Sequence, residues 1–166
     1  MIITLARVDD RLIHGQVTTV WSKESNADRI IIVSSEVYKD DIRKTLLKQA
    51  APPGMKVNIV DVPKAIAVYN NPKYQNEKVF YLFTNPREVV DLVKGGIPLE
   101  KLNIGGMQFK QGKTQISKAV SLDADDVAAF RELHQLGVKL DLRVVKTRPV
   151  VRYLSKIDEV LERNRR

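Results

Sequence analysis

Short apolar runs rich in Ile and Val recur along the chain at 2–8, 29–33, 57–61, 79–83, 101–104 and 138–145. Stretches with helical spacing lie among them at 15–24, 37–50, 63–70, 86–94 and 123–136, with another from about residue 150. Continuous apolar runs suit strands buried on both faces, and their alternation with helices predicts βαβ units. The pattern therefore predicts a three-layer α/β fold, a mostly parallel open sheet with helices on both faces. Residues 107–121 show no convincing helix and are expected to form a short hairpin or antiparallel excursion in the C-terminal third. No repeat, low-complexity tract or linker interrupts the chain, so 1–166 reads as a single domain.

Several helix ends are explicit. Asn85-Pro86-Arg87-Glu88 reads as an N-cap, a proline in the first turn and a capping-box glutamate, and Gly95-Gly96 ends that helix. Asp123 caps the helix that stops before Gly137, and Pro52-Pro53-Gly54 is a turn.

Composition narrows the chemistry. The chain has no cysteine and only two histidines, which excludes disulfides and thiolate metal sites. No segment reaches the roughly 20 apolar residues of a membrane span, and the N-terminus lacks the pattern of a signal peptide, so a cytoplasmic location is expected. The net charge of +8 is uneven: residues 101–166 carry 14 Lys/Arg against 8 Asp/Glu. Such a surface attracts phosphate, acidic proteins, anionic lipid or nucleic acid without choosing among them.

In an open parallel sheet, ligands bind outside the carboxyl ends of the strands. Those ends are Asp9–His14, Ser34–Glu36, Asp61, Thr84-Asn85 and Gly105–Met107, and His14 is the only histidine among them. Gly15 removes bulk beside it, the following helix offers amide donors and a positive dipole end, and Arg11 supplies a fork of donors for phosphate oxygens. Asp9 or Asp10 can accept from one ring nitrogen and leave the other as nucleophile. The combination reads as a histidine that carries a phosphoryl group. His134, in the last turn before Gly137, complements a helix dipole instead.

Other motifs fail. Gly106 to Gly112 has five intervening residues where a P-loop needs four, and the segment after Lys113-Thr114 looks extended. No metal-ligand spacing and no G-x-S-x-G motif occurs. Lys146-Thr147-Arg148 forms a basic turn that offers phosphate or partner contacts. A basic nucleic-acid-binding module is an alternative, though aromatics at 6% are few for stacking. So is an acid–base enzyme using His14, with Asp61 or Glu36 as second group.

The string Asp9-Asp10-Arg11-Leu12-Ile13-His14-Gly15-Gln16-Val17 resembles the phosphorylation loop of the IIB components of the mannose/fructose/sorbose family of the bacterial sugar phosphotransferase system. Val20-Trp21, Ile31-Ile32-Val33 and Asn103-Ile104-Gly105-Gly106-Met107 extend the resemblance over nearly the whole chain. It implies that His14 accepts a phosphoryl group on Nδ1 from a phosphohistidine of a separate IIA protein and passes it to a sugar held by membrane IIC and IID components. It further implies Arg11 as phosphate stabiliser, Asp10, Gly15 and Gln16 as loop residues, and Gly105, Gly106 and Met107 as a neighbouring wall. No metal or cofactor and no nucleic acid are implied, the protein would sit peripherally at its transporter, and homo-oligomer formation stays open. The sugar stays open among mannose, fructose, sorbose and N-acetylgalactosamine, because selectivity lies largely in the membrane components. The basic C-terminal third is expected to help docking to an acidic IIA face or at the membrane.

Overall fold

The computed structural model describes residues 1–15 and 20–142. Six parallel strands form one sheet: β1 (Ile2–Asp9), β2 (Arg29–Val33), β3 (Lys56–Val60), β4 (Lys78–Phe83), β5 (Lys101–Gly106) and β8 (Lys139–Leu142). Their order is β3-β2-β4-β1-β5-β8, which places β1 in the interior between β4 and β5. Because all pairings are parallel, every loop leaving a strand's carboxyl end reaches the same rim. The remaining strands, β6 (Thr114–Ser117) and β7 (Val120–Leu122), form the expected antiparallel hairpin.

Strand alternation divides the core in two. On one face Val8, Ile31, Val33, Tyr81 and Phe83 pack against α4 (Val62–Tyr69), α5 (Pro86–Lys94) and α6 (Ala124–Gln135). On the other, Ile30, Ile32, Phe80 and Leu82 pack against Leu12, Trp21 and Val37, from the loop after β1, the approach to α1 (Ser22–Ser25), and α2 (Ser35–Tyr38). The expected helices on both faces are present.

Three expectations change in detail. The helix expected over 37–50 is two, α2 and α3 (Asp41–Gln49), because Asp40 turns extended and caps the second by accepting from the Arg43 amide. β5 runs through Gly105 and Gly106 rather than stopping at 104, since Gly106 pairs with Asp9 of β1 and Gly105 occupies the register shift before it. Asn85 caps α5 as expected, but Glu88 closes no reciprocal box. Its carboxylate instead accepts from the amide and hydroxyl of Ser35, each at 2.7 Å, tying α5 to the start of α2. The reciprocal box occurs at α6, between Asp123 and Asp126. Residues 16–19 of the expected first helix, 143–145 of the last strand, the Lys146–Arg148 turn and the C-terminal helix lie outside the described residues.

Leu82 is fully buried on the interior strand β4. Leu82→Ala is expected to cost about 2–5 kcal/mol of unfolding free energy in a urea titration; a loss under about 1 kcal/mol would contradict this packing.

Candidate phosphoryl-transfer site

The last four residues of β1 are all buried, although two of them are charged. Ala6 and Val8 face the α4–α6 core, so Arg7 and Asp9 share the opposite face. Both side chains are 0% exposed, and charges so buried need partners. Arg7 donates through Nη1 to Asn103 Oδ1, the residue beside it in register on β5, and through Nη2 to Asp9 Oδ2 at 3.1 Å. Its guanidinium carbon lies 4.6 Å from the centre of the Trp21 ring, a cation–π contact strengthened by the exclusion of water.

Asp9 is the hub. Its Oδ1 accepts from the Arg11 amide and Nε, both at 3.2 Å, and its Oδ2 accepts from Arg7 and from His14 Nε2 at 3.0 Å. The chain reaches this arrangement through a tight reversal: the Leu12 amide donates to the Asp9 carbonyl at 2.9 Å, and Leu12 adopts φ 61°. A left-handed leucine costs about 1–2 kcal/mol. Complete burial of its side chain in the core holds it there. The turn swings Arg11 and His14 back over the end of β1.

A carboxylate can only accept, so the ring nitrogen facing Asp9 carries the proton. Nε2 is therefore the N–H nitrogen and Nδ1 keeps its lone pair when the ring is neutral. The His14 side chain is 24% exposed and that of Arg11 is 39% exposed. The site is thus open to a reactant but backed by a buried ionic array. Burial would push the Asp9 carboxyl up; the hydrogen bonds from His14 and Arg11 and the charges of Arg7 and His14 outweigh it and hold it below the usual carboxylate range. Burial also pushes the Arg7 guanidinium down, against the pull of Asp9.

The two glycines of β5 make room for this array. A Cβ on Gly105 would lie 2.0 Å from the Arg7 guanidinium carbon, and one on Gly106 would lie 2.9 Å from Asp9 Oδ1 and 3.0 Å from Arg11 Nη2. They lie against the ionic side chains. Met107 does not join them, because its side chain is buried in the core beneath α4–α6. Asp10 turns away from His14: its amide donates to the Gly106 carbonyl, its carboxylate accepts from the Gln108 amide at 2.8 Å, and burial pushes its carboxyl up. Gly15 is helical, with open space where a Cβ would project, and Gln16 lies outside the described residues.

The other candidates have structural work. Asp61 caps α4 through the Lys64 amide, and Glu36 is an exposed residue in the first turn of α2. His134 lies in the last turn of α6. Sequence reading missed Arg7 and Asn103 and left Asp9 on a par with Asp10. The available signal was two charges at alternate positions of an otherwise apolar strand, which places both on one face and demands that they be paired.

Comparison with known proteins agrees with this architecture. The family profile described as PTS system sorbose subfamily IIB component matches residues 3–164. The chain is 96% identical to the sorbose-specific EIIB component of Lacticaseibacillus casei, over 96% of this chain and 98% of that protein. It is 54% identical over 96% of its length to the mannose-specific EIIAB component of Escherichia coli K12, of which it covers 50%. The crystal structure of the IIBSor domain of the Klebsiella pneumoniae sorbose permease superposes with a TM-score of 0.93 at 64% identity, covering 96% of this chain and 98% of that one. The chain belongs to the IIB components of the sugar phosphotransferase system, in their sorbose subfamily. It is a phosphocarrier of sugar transport, working between a IIA protein and the membrane IIC and IID components. The comparisons give no support to a nucleic-acid module or an acid–base enzyme. No helix among the described residues is long and apolar enough to cross a membrane.

Two outcomes follow from the Asp9 hub. Asp9→Asn removes the counter-charge of buried Arg7 and is expected to cost about 3–5 kcal/mol. The folded Asp9 titrates below its ordinary value of about 3.9, so its contribution is full above that pH and is lost as pH falls through the depressed value. Unfolding free energy measured against pH should therefore fall less steeply below about pH 4 in the variant; parallel curves would remove Asp9 as the acid-sensitive group. Gly105→Ala should cost about 1–3 kcal/mol, because the added Cβ would force the buried Arg7 head off its bonds to Asn103 and Asp9, and an unperturbed melting curve would contradict that.

Proposed function

We propose that His14 is the phosphoryl acceptor and that it reacts through Nδ1. The observation that carries this reading is the Asp9 Oδ2 contact to His14 Nε2, which fixes the proton on the far nitrogen. Neutral Nδ1 attacks the phosphorus of the donor's phosphohistidine; a new N–P bond forms, the donor's N–P bond breaks, and the donor ring leaves as an imidazole. The His14 ring, now substituted at Nδ1 and still protonated at Nε2, is an imidazolium. Asp9 stabilises that charge across a bond already in place. In the second step a sugar hydroxyl oxygen attacks the same phosphorus, its proton passes to a base of the acceptor site or to water, and His14 returns to the neutral form it began in. No proton need move on or off His14 in the cycle.

Arg11 is the phosphate stabiliser in this reading. Two of its side-chain nitrogens lie against Asp9, and the half-exposed guanidinium stands at the mouth of the site. The bond made resembles the bond broken, so positioning and charge stabilisation are the main demands. The similarity to sorbose-specific components supports sorbose as the sugar at the end of the relay. It also supports a cytoplasmic protein held peripherally at its transporter, with no nucleic acid as partner.

Incubation with a phosphorylated IIA protein tests the assignment. Wild type should take up acid-labile phosphate and His14→Ala none; label retained on the alanine variant would overturn it. Arg11→Ala should slow transfer by about tenfold or more, as expected for a lost charge-stabilising group, and an unchanged rate would remove Arg11 from the site.

A further inference from the structure

Phe109 is 67% exposed, the one aromatic among the exposed large hydrophobic side chains of the described residues. It sits on the loop between β5 and β6, one residue beyond the bond from the Gln108 amide to Asp10. Asp10 in turn adjoins Asp9 in the chain. Lys110 follows Phe109, is exposed, and acts electrostatically on Asp10, whose next neighbour in the chain is Arg11. The loop that carries this ring and cation is thus tied at Gln108 to the segment that carries Arg11 and His14.

The loop is built to hold its shape. Met107 is paired through its amide to the Ala119 carbonyl at 2.9 Å and through its carbonyl to the Ser121 amide at 2.8 Å. The Lys113 amide closes a turn on the Lys110 carbonyl, Gly112 takes φ 91°, and Lys113 Nζ reaches Asp126 Oδ2 at 2.9 Å. An exposed aromatic on a loop fixed at both ends loses little entropy when a partner covers it. Aromatic and arginine side chains are the residues that most often dominate an interface.

We propose that Phe109, together with Lys110 and Arg11, is the anchor by which this chain docks its IIA phosphodonor. The donor surface would offer an apolar pocket rimmed by carboxylates near its phosphohistidine. This rests on the phosphocarrier reading of His14. Transfer requires the donor's phosphorus to come within bonding reach of His14, so the donor must cover the rim on which Phe109 stands. Charge selects the donor over the membrane acceptor. When the donor binds, the phosphoryl group is on the donor and the rim of this chain is at its most cationic; after transfer that charge is offset and release is favoured.

The test compares Phe109→Ala, Phe109→Leu and wild type, each as full-length chain. Transfer from a phosphorylated IIA protein of the sorbose class is measured against donor concentration. Sugar phosphorylation by membranes bearing IIC and IID is measured from the pre-phosphorylated chain. Phe109→Ala should raise the KM for the donor more than about fivefold, with the saturated rate within about twofold of wild type, recovery of most of the loss by Phe109→Leu, and a smaller change at the membrane step. A smaller rise in donor KM, or an equal or larger effect at the membrane step, would overturn the proposal. A wild-type chain that takes up no phosphate would overturn the phosphocarrier reading itself, so the two failures are distinguishable.

Discussion

One buried carboxylate organises this molecule's working end. Asp9 stands fully buried at the end of an interior strand and accepts hydrogen bonds from Arg7, Arg11 and His14. Removing a charge from water is costly, and three partners in close geometry offset that cost. The neighbouring features serve the same array. Gly105 and Gly106 leave space for the guanidinium groups, Asn103 and Trp21 hold Arg7 from the side and above, and left-handed Leu12 folds the loop back onto the strand.

The role proposed for His14 draws on the same interaction. In that role, a carboxylate behind Nε2 decides which nitrogen is nucleophilic before any substrate arrives, and it would stabilise the imidazolium once a phosphoryl group is on. On the proposed mechanism the proton stays in place through both steps, so the protein would need neither a separate base for the histidine nor a large rearrangement. The fold contributes a rigid strand end for the hub and an open rim for two successive partners.

The architecture was legible in the sequence because buried parallel strands write themselves as apolar runs, and Ile30 to Val33 or Val79 to Phe83 leave little choice. His14 stood out as a candidate because histidine is scarce in this chain and this one follows a strand end. What lay hidden was pairing between elements. Nothing local says that Glu88 bonds to Ser35 instead of closing its own helix cap, or that Asp40 splits one helical stretch in two. Asp9 and Asp10 look alike as neighbours, yet Asp9 ends β1 with its side chain against the histidine while Asp10, in the turn that follows, reaches Gln108. Gly105-Gly106 suggested close approach, but that the approaching group is Arg7 depends on the register of β1 against β5.

The central claim is that Asp9 fixes the Nε2–H form of His14 and so directs phosphorylation to Nδ1. Nitrogen-15 and phosphorus-31 NMR of the labelled chain, before and after phosphorylation, reads both parts in one sample. The account predicts an Nε2-protonated neutral ring in the free protein and a single phosphorus signal coupled to Nδ1 of His14. Phosphorus bound to Nε2, or a free ring protonated at Nδ1, would contradict it.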